Sequence, residues 1–229
     1  MNIKPWQESN KDSTISSEDI QIWSAFFDGE NCEHHFHLLS DDEKARAGRL
    51  KNPGTACQQI ISRGILRLLL GNYIGINPKE LVFKTSPFGK PFLSNPADSE
   101  IGFNLTHSGN LLLIAIGKGK HIGIDVEKVE GKIDFKGISS LVFSSEERLS
   151  LSRSLDPIQD FYRLWTAKEA ILKGTGFGFS YPSNQFSVVI SKGNAGLIKG
   201  IKEFAAGLSC SLSAFSPVDG YSAAVAVLQ

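Results

Sequence analysis

Between Gln58 and Asn72 the apolar residues Ile60, Ile61, Ile65, Leu68 and Leu69 return every three or four positions, with Gly64 on the same side. That spacing predicts a helix with one face turned to a core, and it puts Arg63 and Arg67, four apart, on the other side. A second long helix is bracketed by Asp156 as N-cap, Pro157 at its first position and Gly174 just past its end. Two shorter helices open on capping boxes. Ser40 with Glu43 starts one that runs to about Leu50, where Asn52-Pro53-Gly54 breaks it; Ser144 with Glu147 starts one that runs to about Ser152. Elsewhere the pattern has period two or is continuously apolar. Ile20–Phe27, Glu100–Thr106, Leu111–Ile116, Ile122–Glu127 and stretches near 185–190, 208–216 and 221–228 therefore read as strands. His107–Asn110 joins two of them as a hairpin, and the Gly- and Pro-studded 87–96 reads as a loop. The fold class is α+β. Composition shifts to small and polar residues at Gly117–Lys120, which divides the chain into halves at 19–118 and 119–229 behind a polar tail, 1–18.

Charge narrows the partners. The 229 residues carry 24 basic and 24 acidic side chains, so no nucleic-acid partner is indicated. The longest apolar run, Leu111–Ile116, is too short to cross a bilayer, and Met1–Asp19 lacks the apolar stretch of a secretory signal. A cytoplasmic protein without membrane attachment is expected. Cys32, Cys57 and Cys210 are scattered and odd in number, so they describe no disulfide framework. Cys32-Glu33-His34-His35-Phe36-His37 offers metal-ligand residue types, but no second ligand pair is evident, and a polar loop is the reading.

Two segments carry chemistry. In Ile122–Glu127, alternation turns Asp125 and Glu127 to one face while Ile122, Ile124 and Val126 turn to a core. Neighbouring carboxylates repel unless a cation sits between them, yet an ordinary solvent-facing edge strand reads the same way. In Trp165–Lys173, Glu169 and Lys173 fit an ordinary helix ion pair. Lys168, however, falls inside the apolar stripe of Phe161, Leu164, Trp165, Ile171 and Leu172, where an ammonium needs an anionic partner or a route to water. Three acids and two lysines suit a hard divalent ion and a phosphorylated substrate. His107 and Ser108 are adjacent on a strand, point to opposite sides and lack a nucleophile elbow, so they are not a Ser–His couple.

Several motifs in order resemble the Sfp-type 4′-phosphopantetheinyl transferases. They are Phe88-Gly89-Lys90-Pro91-Phe92, Phe103-Asn104-Leu105-Thr106-His107-Ser108, Gly123–Glu127, Trp165–Lys173, Asn184–Val188 and Gly220–Val225. The resemblance covers about residues 20–229. It implies two similar α+β halves related by pseudo-twofold symmetry, with the site between them, the first half contacting the coenzyme A nucleotide and the second supplying the acids. By resemblance Asp125, Glu127 and Glu169 would hold Mg²⁺, with Mn²⁺ as an alternative occupant. Arg63 would meet the 3′-phosphate, with Lys44 and Arg46 adding to that pocket. Lys90 and Pro91 would border the adenine nucleotide. Thr106 and His107 would face a phosphate, and Lys168 and Lys173 would neutralise phosphate charge.

The implied activity is transfer of 4′-phosphopantetheine from coenzyme A to a serine of an apo acyl, polyketide or peptidyl carrier protein, with release of 3′,5′-ADP. Glu169 is the candidate general base, directly or through a metal-bound water, and Lys173 is catalytic beside it. The chain is long enough to hold both halves, so a monomer is expected. The alternative is a non-catalytic coenzyme A or carrier-binding module with the same fold. A P-loop kinase or NTPase is excluded by the absence of its phosphate loop.

Overall fold

The structure is a computed structural model describing residues 3–7, 15–16, 19–27, 32–96, 99–119, 121–178, 181–191, 194–199 and 209–228. The elements are β1 (Ile3–Pro5), β2 (Ile20–Phe26), α1 (Cys32–Phe36), α2 (Asp41–Gly48), α3 (Pro53–Ile74), β3 (Val82–Thr85), β4 (Pro91–Asn95), β5 (Ile101–Ser108), β6 (Leu111–Lys118), β7 (His121–Lys128), α4 (Phe135–Val142), α5 (Ser145–Ser152), α6 (Pro157–Thr175), β8 (Ser187–Ser191), β9 (Asn194–Lys199), β10 (Cys210–Phe215) and β11 (Tyr221–Leu228).

The two halves repeat one topology. In the first, β2, β6 and β5 lie side by side and antiparallel; in the second, β7, β11 and β10 take the same places in the same order. Each half then carries a capping-box helix (α2 or α5), a long helix (α3 or α6) and a two-stranded ribbon (β3–β4 or β8–β9). Period-two alternation divides every central strand between two cores. Leu112, Ile114 and Ile116 of β6 pack under α3, and Ala224, Ala226 and Leu228 of β11 pack under α6. Their alternates, Leu111, Leu113 and Ala115 with Tyr221, Ala223 and Val225, meet in a third core shared by the halves. The layers run helix, sheet, sheet, helix.

Each half has its own buried ionic tie, built from the same parts. Glu43, third residue of the α2 capping box, accepts from Ser40 N and from Arg67 Nε at 2.8 Å, and Arg67 also donates to the Pro78 and Leu81 carbonyls. Glu147 of the α5 capping box accepts from Ser144 N, from Val188 N and from Lys168 Nζ, and Lys168 also donates to the Phe186 carbonyl. A charge buried on a long helix is tolerable when a carboxylate and main-chain carbonyls receive it.

Several elements depart from the sequence reading. Arg67 is buried, not solvated, because Glu43 and two carbonyls receive it. Asn52-Pro53-Gly54 ends α2 by starting α3, with Asn52 capping Thr55 N. The 87–96 segment is half strand, since β4 pairs with β3. Within the polar tail, β1 adds in parallel to the edge of β2. The Cys32–Phe36 stretch is a short helix whose His35 is buried against Gly64 and packed at a tilt on the Trp6 ring, not a polar loop. Helix α6 runs through Thr175, and Gly176, at φ +79, supplies the left-handed cap expected at Gly174.

Candidate active site

The site forms at the seam between the two sheets, where β5 lies against β7. No backbone ladder joins these strands; side chains of β5 do. Ile122, Ile124 and Lys128 turn their main-chain groups to the edge of β7 away from β11, a row that would otherwise be unpaired. Asn104 Oδ1 accepts from Ile124 N at 2.8 Å, Ser108 Oγ accepts from Lys128 N at 3.0 Å, and Lys90 Nζ donates to the Ile122 carbonyl at 3.0 Å. Asn104, Thr106 and Ser108 share one face by alternation.

The same face holds the acids. Asp125 Oδ1 accepts from Thr106 Oγ1 at 3.1 Å and from Lys173 Nζ at 2.6 Å, and Glu127 accepts from Ser108 Oγ at 2.7 Å. Thr106 Oγ1 also receives Lys173 Nζ at 3.2 Å. Helix α6 brings Glu169 and Lys173 to β7 because Gly123 leaves nothing between them: a Cβ there would overlap the Ala170 carbonyl and Gly174 N.

Electrostatics mark the cluster as short of positive charge. Asp125 is raised to about 6, by burial first and then against the lowering effect of Lys173. Glu169 is raised to about 7, by burial and then by Asp125, with Lys173 opposing and Glu127 adding. Asp125 Oδ2 is buried with no hydrogen-bond partner. Among the described residues no three His, Cys, Asp or Glu side chains are gathered closely enough to hold an ion as they stand. Lys173 and Ser108 hold two of the carboxyls instead. An orphaned carboxylate oxygen beside two further acids is nevertheless the donor set that a hard divalent cation takes.

Three recesses lie along this side of the molecule. Toward the start of β7 lies a cleft of about 470 Å³, lined by Phe88, Lys90, Pro91, Phe103, Gly174 and Phe177 among others. Sharing Pro91 with it is a basic recess of about 200 Å³ holding Arg46, Arg63, Lys79 and Lys84 beside Asp42 and Glu43. Arg63 Nη1 is buried there without a partner, and burial lowers its pKa from the usual arginine value. At the opposite end, past Glu127, an apolar recess of about 260 Å³ is lined by Ile133, Ile138, Phe161, Tyr162 and Trp165.

The structure therefore gathers Asp125, Glu127, Glu169, Lys173 and Thr106. It places Lys90, Pro91 and Arg63 around the adjoining clefts. His107 lies on the far side of β5, its ring edge-on to Phe27 at 5.7 Å; burial and Lys173 depress its pKa, with Glu127 opposing. Lys168 is corrected. Its anionic partner is Glu147, on both oxygens at 2.8 and 2.7 Å, not a phosphate, and it lies within the core under α6. The reading from sequence missed Ser108 and Asn104 as supports of β7, although their i, i+4 spacing about Thr106 on one strand face was the available signal. It also missed Lys79 and Lys84, which no periodic pattern singles out.

Comparison with known proteins matches residues 23–118 to the family described as 4′-phosphopantetheinyl transferase, N-terminal, and residues 121–226 to the 4′-phosphopantetheinyl transferase superfamily. The chain is 36% identical over 181 residues to the 4′-phosphopantetheinyl transferase HetI of Nostoc sp., covering 76% of each protein. It is 29% identical over 161 residues to the 4′-phosphopantetheinyl transferase Sfp of Bacillus subtilis, covering 69% of this chain and 70% of Sfp. Among solved structures, the Chronobacterium ammoniagenes ACPS–CoA complex is similar with a TM-score of 0.40 and 21% identity, covering 48% of this chain and 96% of that one. With both halves matched in order and the HetI similarity spanning three quarters of each chain, the protein belongs to the 4′-phosphopantetheinyl transferase superfamily, in its Sfp-type branch.

Proposed function

We propose that the seam between β5 and β7 moves the 4′-phosphopantetheine group of coenzyme A onto a carrier-protein serine. The observation that carries this is the cluster of buried Asp125 with half-buried Glu127, Glu169 and Lys173, flanked on one side by an aromatic cleft and a basic recess. The adenine nucleotide enters the cleft beside Lys90 and Pro91. Its 3′-phosphate reaches Arg63, whose Nη1 has no hydrogen-bond partner, with Lys79, Lys84 and Arg46 adding charge. Lys44, tied at 3.7 Å to the exposed Asp41, lines none of this recess. Asp125, Glu127 and Glu169 would hold Mg²⁺ or Mn²⁺, which when bound supplies charge neutralisation to the pyrophosphate.

The chain's own residues position the reactants. Lys173, next to Asp125, faces the pyrophosphate, and Thr106 fixes both of these side chains by its hydroxyl. In-line displacement requires the attacking oxygen opposite the leaving group. The nucleotide occupies the Ile122–Gly174 end, so the acceptor serine arrives from the Glu127–Trp165 end, over the apolar recess. The serine oxygen forms a bond to the β-phosphorus and the bond to the bridging oxygen breaks. The hydroxyl proton passes to Glu169, and 3′,5′-ADP leaves. Without metal, burial and the neighbouring acids raise this carboxyl to about 7, so it takes up a proton more readily than an exposed glutamate.

Incubation with coenzyme A, Mg²⁺ and a panel of apo acyl, polyketide and peptidyl carriers tests the proposal. One added phosphopantetheine at the acceptor serine is the expected result. Unchanged mass in every carrier, with coenzyme A binding intact, would replace the enzyme by a binding module.

A further inference from the structure

We infer that Lys90 is a positioning residue: its ammonium straps the first half to the end of α6, and so holds Lys173 against β7, instead of binding a substrate phosphate. The inference rests on the transferase reading of the site. Two of its three donors are engaged, on the Ile122 carbonyl at 3.0 Å and the Gly174 carbonyl at 2.9 Å. The first acceptor lies on the open edge of β7. The second belongs to the last turn of α6, where carbonyls have no intrahelical partner and a cation is favoured by the helix dipole. One side chain from the first half thus joins the two elements of the second half that carry every acid of the cluster.

The strap is anchored at its own base. Lys90 N donates to Ser86 Oγ at 3.1 Å and its carbonyl accepts from Ser86 N at 2.8 Å, closing a turn through Gly89 at φ +86. A second contact runs parallel to it: the Phe88 and Phe177 rings meet edge-to-face at 5.3 Å, again between the first-half turn and the segment that leaves α6. Gly174, which receives Lys90, is the residue next to Lys173, which reaches Asp125 at 2.6 Å. Loosening the last turn of α6 therefore displaces the Lys173 ammonium first. Displacements of about 1 Å cost on the order of a hundredfold in rate in positioned reactions.

The test uses the full chain with Lys90→Met, Lys90→Arg, Lys173→Ala and the double variant Lys90→Met/Lys173→Ala. Hydrogen exchange of the ligand-free proteins is measured alongside transfer kinetics. Lys90→Met is expected to speed exchange at 121–123 and 173–178 while β6 keeps its protection. It is expected to lower kcat about tenfold, with KM for coenzyme A changed by less than about threefold. Lys90→Arg should restore most of the rate, since a guanidinium also serves two carbonyls. In the Lys173→Ala background Lys90→Met should add almost nothing, because both act through the same ammonium. Unchanged exchange at 173–178 overturns the inference. So does a raised KM at constant kcat, which identifies a direct phosphate ligand, or additivity in the double variant. If the unsubstituted protein transfers nothing, the transferase reading fails by itself, and the exchange data alone decide whether the strap exists.

Discussion

Glu169 and Lys173 stand four apart on a helix and could have paired only with each other. Lys173 instead crosses to Asp125, and Glu169 is left with its carboxyl raised by burial and by the neighbouring acids. Replacing Glu169 by Ala should therefore cut kcat by about a hundredfold or more at saturating Mg²⁺, while thermal stability of the metal-free protein stays level or rises as acid repulsion is relieved. A rate within a few-fold of the original would take Glu169 out of the chemistry. Lys168, one residue away, should behave in the opposite way. Lys168→Met strands the Glu147 carboxylate in the core, which costs about 3–5 kcal/mol. The denaturation midpoint should fall sharply, and the folded fraction should retain near-normal kcat. Loss of kcat without loss of stability would return Lys168 to the phosphate site.

At the scale of elements, the decisive packing is α6 on β7. Gly123→Ala puts a methyl into the Ala170 carbonyl and Gly174 N, both backbone, so the helix must move away from the strand. Stability should drop by about 1–3 kcal/mol, as for other overpacked contacts, and kcat should fall with it because Glu169 and Lys173 ride on the displaced helix. A fully active, fully stable variant would show that this close approach positions nothing. The face of β7 carrying Gly123, Asp125 and Glu127 was legible in the sequence, since a period of two has only two faces. Both capping boxes and both long helices were legible for the same reason: the signal is local. What was not legible depended on distant partners. Arg67 and Lys168 looked like a solvated cation and a phosphate ligand because Glu43 and Glu147, 24 and 21 residues upstream, are invisible to any local window. β3 and β4 were hidden by Pro87, Pro91 and Pro96, although Pro91 and Pro96 only mark the limits of β4. The family resemblance supplied the ligand assignments, and the structure supplied the supports behind them.

For the whole molecule, the join between halves carries a titratable group. Burial lowers Lys90 to about 8, below its ordinary 10.5. Between these values the unfolded chain binds more protons than the folded one, so this residue's contribution to stability increases with pH. Below pH 8 the full cost of the buried ammonium is present; above 10.5 none is. Raising the pH from 7.5 to 9.5 should stabilise the protein relative to Lys90→Met by something on the order of 1 kcal/mol after allowance for partial exposure. Parallel pH–stability curves for the two proteins would contradict that. The two-half architecture also places the acids, their supports and both clefts within one chain. Light scattering is expected to show a monomer, and an obligate trimer would require a site completed by a second copy.

Aligned at their left-handed glycine caps, Gly75 and Gly176, the long helices place Arg67 opposite Lys168, Leu68 opposite Glu169 and Asn72 opposite Lys173. The buried tie is repeated, but the reactive pair is not. The symmetry ends at the seam: the second copy supplies the acids and Lys173, and the first supplies Thr106 and Ser108, which hold two of those acids. On the proposed reading, substitutions around Arg63, Lys79 and Lys84, which line a recess apart from the acids, should change nucleotide recognition before they change the rate. The basic recess of the first half is therefore, on that reading, the place to alter which coenzyme A analogues are accepted.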